Sequence, residues 1–479
     1  MTDITRRLPP ELLLEIFVFA PVPDILKLKQ VNRIFRDILA SPLIQHKIDL
    51  FTAGLEHNAE AGISLADSQE ALLRYRSSLD SLSPAEVRAV NNLEVEDLRA
   101  NNMKIAGGVC AIIKDPVRLF TLGSASRGIL HKEWAIPLPV ADPVGYGFYP
   151  GANVITFVEL QTANMRIAIH LNTLSDGEHH PAAQCPIIHY SHKQTAMVAD
   201  SFSVSITSSR LAILASLQLG RYLVVLDWKS AQVLFELNGE RYNDMEFIDD
   251  YRLLASINST NHAPSSLEVM DTGKDMGGVP MQTFFHLSPC LINSGLLYLL
   301  LERGVHEPSP AESLAPFHQD PTQRVIVLDS RSTWYYIALP VRALLGLLEN
   351  REGSDIAWDE WKGHAAILSS GQFDMNGMGI HGAWVSGCRF FSAMSNPDTL
   401  NLGVYDFSMR GRAKYLSEQV NEELGGVRYF LPSEVRVGIP WNVWYSPQSG
   451  HDSIVFPHDP EEEDGGDDPH VYLAHIWTF

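Results

Sequence analysis

The chain is predicted to fold as a small all-α module with a helical connector, followed by an all-β propeller of about seven blades, six to eight fitting the spacing. Three observations carry this. Apolar residues between Leu12 and Leu55 recur every three or four positions. Beyond about Ala89 the period falls to two, in short runs separated by Gly, Pro, Asn, Asp and Ser. Those runs repeat a strand–turn–strand phrase about seven times.

Pro9 and Pro10 suit a first helical turn, where a missing N–H costs nothing, and Glu11 complements the helix dipole there. Leu12, Leu13, Ile16, Phe17 and Ala20 form the first stripe, which Pro21 and Pro23 end. Asp24 is expected to cap a second helix carrying Ile25, Leu28, Val31, Phe35, Ile38 and Leu39. Pro42 forces another break before the stripe of Ile44, Ile48, Phe51 and Leu55. Leu13, Leu14, Val18 and Phe19 widen the first apolar arc beyond what two neighbouring helices cover, and such an excess face usually belongs to a partner. The plainer reading is a helical cap on a larger domain. A further helix is expected near Ser68–Leu82, with Leu72, Leu73, Tyr75 and Leu79 on its apolar face.

The β phrase is clearest in DMEFIDDYRLLASI (244–257) with SSLEVMDTGK (265–274), and in the preceding SVSITSSRLAILAS with RYLVVLDWKSAQVLFEL. Val-x-Asp recurs at strand ends, where the carboxylate can cap the next turn. Asp227 to Asp271 is 44 residues, close to one WD-type blade of ~40–45. A horseshoe of leucine-rich repeats would need L-x-x-L-x-L periodicity, which is absent. The last nine residues, Val471–Phe479, are apolar to the end and are expected to pair inside a blade and close the ring. Two late insertions, Glu302–Thr322 and Val341–Gly363, read as mobile loops on a recognition surface.

The order Leu-Pro-Pro-Glu, apolar helix, Pro-broken turn, Asp24, second apolar helix and Asn32-Arg33 before Phe35 resembles an F-box. The resemblance covers less than a tenth of the chain. It implies docking onto a Skp-family adaptor and, through it, the cullin of an SCF-type ubiquitin ligase. Carried over residue by residue, the adaptor-facing positions are Leu8, Pro9, Leu12, Ile16, Phe17, Leu26, Leu28, Val31, Phe35 and Ile38. Many F-boxes have Cys-Arg where Asn32-Arg33 stands and Trp where Phe35 stands. With a diverged WD-like propeller behind it, the chain looks like the large class of fungal F-box proteins. The implied division is F-box at 1–50, connector at 51–88 and substrate-recognition propeller at 89–479, with no catalysis, cofactor or metal of its own.

Lys plus Arg total 36 against 57 acidic residues, a net charge of −21, which disfavours nucleic-acid or anionic-membrane partners. Four scattered cysteines fit a reducing compartment, and with no signal peptide in view the expected location is cytoplasmic or nuclear. Other constellations have ordinary explanations. Gly377–Gly382 satisfies G-x-G-x-x-G but runs into a strand where a dinucleotide fold needs a helix. His179, His180, Cys185, His189 and His192 match no metal-ligand spacing. The acidic run His458–His470 lacks EF-hand order and reads as a solvated insertion. Trp358/Trp361 and Trp441/Trp444 read as blade packing rather than a sugar platform. The rival functions are a β-propeller hydrolase and a scaffold that binds the adaptor outside any ligase.

Overall fold

The computed structural model describes residues 8–81, 86–93, 102–161, 166–191, 199–217, 220–238, 242–258, 265–273, 280–287, 297–300, 314–330, 335–351, 353–369, 380–386, 388–396, 399–408, 433–436, 448–450, 453–458 and 472–478. Four short helices come first: α1 (Pro10–Phe19), α2 (Val22–Leu28), α3 (Arg33–Leu39) and α4 (Pro42–Thr52). The prolines set three of the four starts, each at the first or second helical position. One expectation is corrected here. Asp24 lies inside α2, where its carboxylate pairs with Lys27 at 3.1 Å, and the expected second helix is two. The break falls at Asn32, whose side chain accepts the Phe35 N–H at 2.8 Å and caps α3. Leu13, Phe17, Ile25, Leu39 and Ile44 make the module's core, with Phe17 and Phe35 edge-on at 5.3 Å.

Strand β1 (Leu55–His57) and helix α5 (Leu65–Ser81) follow, and then β2 (Glu86–Leu93). Among the described residues the remaining strands build seven sheets with an antiparallel four-stranded body, one of which, blade four, gains a fifth strand in parallel from an insertion of blade five. Blade one is β3 (Met103–Ala106), β4 (Val109–Ile112), β5 (Val117–Thr121) and β6 (Lys132–Ile136). Blade two is β7 (Gly145–Tyr149), β8 (Val154–Gln161), β9 (Arg166–Thr173) and β10 (Ile187–Ser191). Blade three is β11 (Ala199–Ile206), β12 (Arg210–Leu217), β13 (Gly220–Asp227) and β14 (Gln232–Asn238). Blade four is β15 (Tyr242–Phe247), β16 (Arg252–Ile257), β17 (Ser266–Asp271) and β18 (Met281–His286). Blade five starts at β19 (Leu297–Leu300), carries the small strand β20 (Phe317–Gln319) in an insertion, and continues with β21 (Val325–Ser330) and β22 (Tyr335–Pro340). A second insertion holds α6 (Val341–Arg351), β23 (Asp355–Ile356) and α7 (Trp358–Trp361) before β24 (Ala366–Ser369) completes the blade. Blade six is β25 (Ile380–Ser386), β26 (Arg389–Asn396), β27 (Thr399–Asp406) and β28 (Ser433–Arg436). Blade seven is β29 (Gln448–Gly450), β30 (Ser453–His458), β31 (Tyr472–Thr478) and, from the other end of the chain, β2.

That last pairing closes the ring. β31 lies between β30 and β2, with Glu86 opposite Thr478 and Val90 opposite Ala474. The first strands of successive blades adjoin around the axis, from β7 through β11, β15, β19, β25 and β29 to β3. Period-two patterning then glues blade to blade. On β12, Leu211, Ile213 and Ala215 pack toward blade two while Ala212 and Leu214 pack toward blade four. The Val-x-Asp carboxylates cap turns as expected: Asp227 accepts from the Lys229 and Ser230 N–H groups at 3.0 Å each, and Asp271 from Gly273 at 2.8 Å.

Candidate protein-interaction surface

On α1, Leu12, Ile16 and Phe19 lie at i, i+4 and i+7, a single helical stripe facing away from the module's core. They are 45%, 52% and 87% exposed. Val31 at the α2–α3 corner is 64% exposed, and Ile34 at the start of α3 is also exposed. Single exposed apolar residues are ordinary, but five on α1, the α2–α3 corner and α3 form an unpartnered surface. Its frame is fixed from behind. Lys47 of α4 donates to the Val18 and Ala20 carbonyls at 2.6 and 2.7 Å, tying down the end of α1. Burial lowers the Lys47 pKa. Gln45 donates to the Leu39 carbonyl at 2.7 Å and closes α3 in the same way.

Residues 5–50 match the family model described as F-box-like. The N-terminal module is an F-box-like domain. Of the residues expected to face an adaptor, Pro9, Leu12, Ile16 and Val31 are exposed, and Leu8, Leu26, Leu28, Phe35 and Ile38 are partly so. Phe17 is buried at 4% exposure, so it shapes the domain's own core rather than its surface. Phe19 and Ile34 stand exposed beside the expected set. Phe19 was legible as part of the over-wide arc, and Ile34 carried no separate signal.

A search of curated proteins finds no match to the chain. Solved structures resemble it in fold only. Kluyvelomyces marxianus Hsv2 has 8% identity and TM-score 0.41, covering 74% of this chain and 89% of that one. The WD40 domain of Toxoplasma gondii coronin has 10% identity and TM-score 0.37, covering 82% and 87%. The β-propeller domain of the Trilobed protease from Pyrococcus furiosus has 8% identity and TM-score 0.34, covering 74% and 90%.

The F-box-like domain is joined to the propeller through packed side chains. β1 pairs with β20, Leu55 opposite Gln319, so the connector adds a strand to an insertion of blade five. Leu50, Ala53, Leu55, Leu72, Tyr75 and Phe317 form one buried cluster across that joint. Gln323 of blade five donates to the Phe51 carbonyl at 3.0 Å. Gly54 sits at φ +77, and a Cβ there would lie 2.6 Å from Sγ of Cys388, in the first turn of blade six. Only glycine allows that approach.

Both insertions expected to be mobile loops need correcting. Of the first, residues 302–313 lie outside the described residues, but Phe317–Gln319 is the strand paired with β1. The second is an ordered helical insertion. Leu344 and Leu348 of α6 and Trp361 of α7 are buried against blades four and five, and the Trp361 indole donates to the His286 carbonyl at 3.0 Å. Val341, Leu344, Leu345 and Leu348 repeat at helical spacing, which explains why this stretch packs as a helix. Trp358 stacks edge-on against Trp361 at 4.6 Å, so this pair packs a blade. Trp441, Trp444, His192 and most of the acidic run lie outside the described residues.

The remaining constellations have structural roles. His180 accepts the Ala182 N–H on Nδ1, meets the Ala152 carbonyl through Nε2 at 3.0 Å, and packs edge-on to the buried Trp228. Ile380–Gly382, the end of the Gly-rich motif, is the start of β25. Among the described residues, no group of three or more His, Cys, Asp or Glu is disposed to hold a metal ion. Also among these residues, no helix is long and apolar enough to cross a membrane.

Proposed function

We propose that this chain is the substrate-recognition subunit of an SCF-type cullin–RING ubiquitin ligase. In this reading the F-box-like domain binds a Skp-family adaptor and the propeller binds the protein to be modified. The observation that carries it is the exposed stripe Leu12–Ile16–Phe19 on an F-box-like domain whose opposite side is locked to a closed propeller. A receptor needs both properties. An apolar face must remain free for the adaptor, and the cargo-bearing domain must be held at a fixed angle to it.

The contact set is Leu8, Pro9, Leu12, Ile16, Leu26, Leu28, Val31, Phe35 and Ile38, with Phe19 and Ile34 extending it and Phe17 holding α1 against α3 from inside. The chemistry the chain contributes is proximity. It converts an encounter between a cargo lysine and the ubiquitin-loaded enzyme into a near-unimolecular step, while the reacting groups lie in other subunits. The stiff joint through β1–β20 and Gly54 supports this role, because positioning is lost when a receptor swivels.

The test is proximity labelling with the proteasome blocked, comparing the full chain with a variant lacking residues 5–50. Cargo should be labelled by both, and should become ubiquitin-modified only with the full chain. Equal modification with both would overturn the proposal.

A further inference from the structure

The joint between the F-box-like domain and blade five encloses a cleft of about 820 Å³, bounded by the α1–α2 turn, α4, β1, the segment after β20 and α6. That volume is within the ~300–1,000 Å³ of small-molecule sites. Leu43, Leu50, Leu55, Ile63 and Leu345 give it apolar walls.

Its charges are unevenly matched. Of the two basic side chains, Lys47 is committed to the Val18 and Ala20 carbonyls, and the Arg342 guanidinium lies 5.5 Å over the Phe51 ring. The acidic side is less well served. Glu56 stands opposite His318 in the β1–β20 pair, so Glu56 and Asp320, two residues beyond, share one face of that pair. His318 Nδ1 lies 3.2 Å from Glu56. Among the described residues, Asp320 accepts only from neutral donors, the Thr322 N–H at 2.9 Å and hydroxyl at 2.7 Å, and the Gln323 amide at 3.0 Å. Glu349 brings a third carboxylate from α6.

A second observation points to a ligand. His46 lines the cleft and is 3% exposed, with Nε2 2.9 Å from the Ser68 hydroxyl. Among the described residues its Nδ1, itself a buried atom, has no hydrogen-bond partner. Buried polar atoms in native structures are nearly always satisfied, so an unmatched ring nitrogen just beneath the cleft wall marks a place where a bound molecule or an ordered water completes the bonding.

We propose that this cleft binds a small molecule with an apolar body and a cationic amine head. The body lies on Leu50, Leu55 and Leu345, and the head sits between Glu56 and Asp320. Burial, and then the neighbouring Asp320, push the Glu56 carboxyl up to about 7, as expected of a site short of positive charge. Burial, and then His57, hold the His46 pKa below its ordinary value, which keeps the ring a neutral acceptor. Amine binding should therefore weaken between pH 8 and pH 6, as Glu56 takes up a proton while the amine stays charged. Because its walls come from both domains, an occupied cleft would also brace the joint.

The test is calorimetric titration of the full chain with octylamine, octanol and octanoate. At pH 8 octylamine should bind about tenfold more tightly than octanol, the usual scale of one charge-assisted contact, and octanoate should bind least. Glu56→Gln should bring octylamine to the level of octanol. Gly346→Phe should abolish binding of all three with the melting temperature retained, since a Cβ at Gly346 meets nothing within 4 Å. If Gly346→Phe does not fold, the Glu56→Gln comparison and the pH dependence decide. Octanol or octanoate binding as tightly as octylamine would overturn the proposal. So would no uptake of octylamine at millimolar concentration, or unchanged binding in a folded Gly346→Phe protein.

Discussion

Replacing Leu12 and Ile16 together by Ala separates an interaction surface from an ordinary helical cap. Fully burying one such side chain is worth about 1.5–3 kcal/mol. Leu12 is already about half buried within the domain and Ile16 slightly less, at 45% and 52% exposure. Completing their burial under a partner therefore offers roughly 1 kcal/mol each, about 2 kcal/mol together, or some thirtyfold in affinity. The same change should leave the fold nearly untouched. Neither residue belongs to the Leu13–Phe17–Ile25–Leu39–Ile44 core, and surface substitutions usually shift stability by no more than about 0.5 kcal/mol. Leu13→Ala is the matched contrast, since Leu13 is buried and its truncation should cost about 2–5 kcal/mol of folding stability. The assay is calorimetric titration of a purified Skp-family adaptor into the full chain, beside thermal melts of each variant. Adaptor affinity within twofold of wild type for the Leu12→Ala/Ile16→Ala chain would refute the assignment of this stripe.

Deleting Val471–Phe479 should unfold or aggregate the propeller, because β31 pairs on both edges and is the link between β2 and β30. Normal solubility and circular dichroism would rule out closure by this strand. Gly54→Ala should destabilise the joint by about 1–3 kcal/mol, through the positive φ and the approach to Cys388, without touching the adaptor surface. An unchanged thermal transition would argue against that contact. Because the folded-state pKa of Glu56 is raised to about 7 from 4.5, the folded chain holds more protons than the unfolded one between those values, so this group's contribution to stability declines as pH rises through that window. Glu56→Gln should accordingly raise the melting temperature at pH 8 and leave it unchanged at pH 5; equal shifts at both would show that the residue acts through something other than its charge.

Much of this architecture is legible in the sequence because its signals are local. Prolines at 9, 10, 21, 23 and 42 mark where the first helices start, and period-two runs ending in Val-x-Asp mark the strands and the turns they cap. The apolar run at 471–479 reads as a strand paired on both edges, which is how β31 lies between β30 and β2. What sequence hides is pairing at a distance. β1 and β20 are three residues each and far apart along the chain, and nothing in either names the other. The cleft, built from α4, β1 and α6, is therefore invisible until the chain is folded. α6 is a different case. Its Val341–Leu344–Leu345–Leu348 stripe is present in the sequence but sits between strands and beside Gly346 and charged residues, which read as loop. Asn32 likewise looks like one polar residue on a helix, while its bond to the Phe35 N–H caps the start of a new helix, α3. Within α1, apolar residues on several sides left Phe17 and Phe19 hard to rank, and only packing turns the first inward and the second outward.

The most direct test of the ligase assignment is quantitative affinity purification of the tagged full chain from its native cells, followed by mass spectrometry. Adaptor, cullin and RING subunit should be recovered together in near-equal amounts with the wild-type chain. All three should disappear together with Leu12→Ala/Ile16→Ala, while proteins held by the propeller remain. Recovery of the adaptor without cullin and RING subunit, or retention of all three by the double variant, would contradict the account.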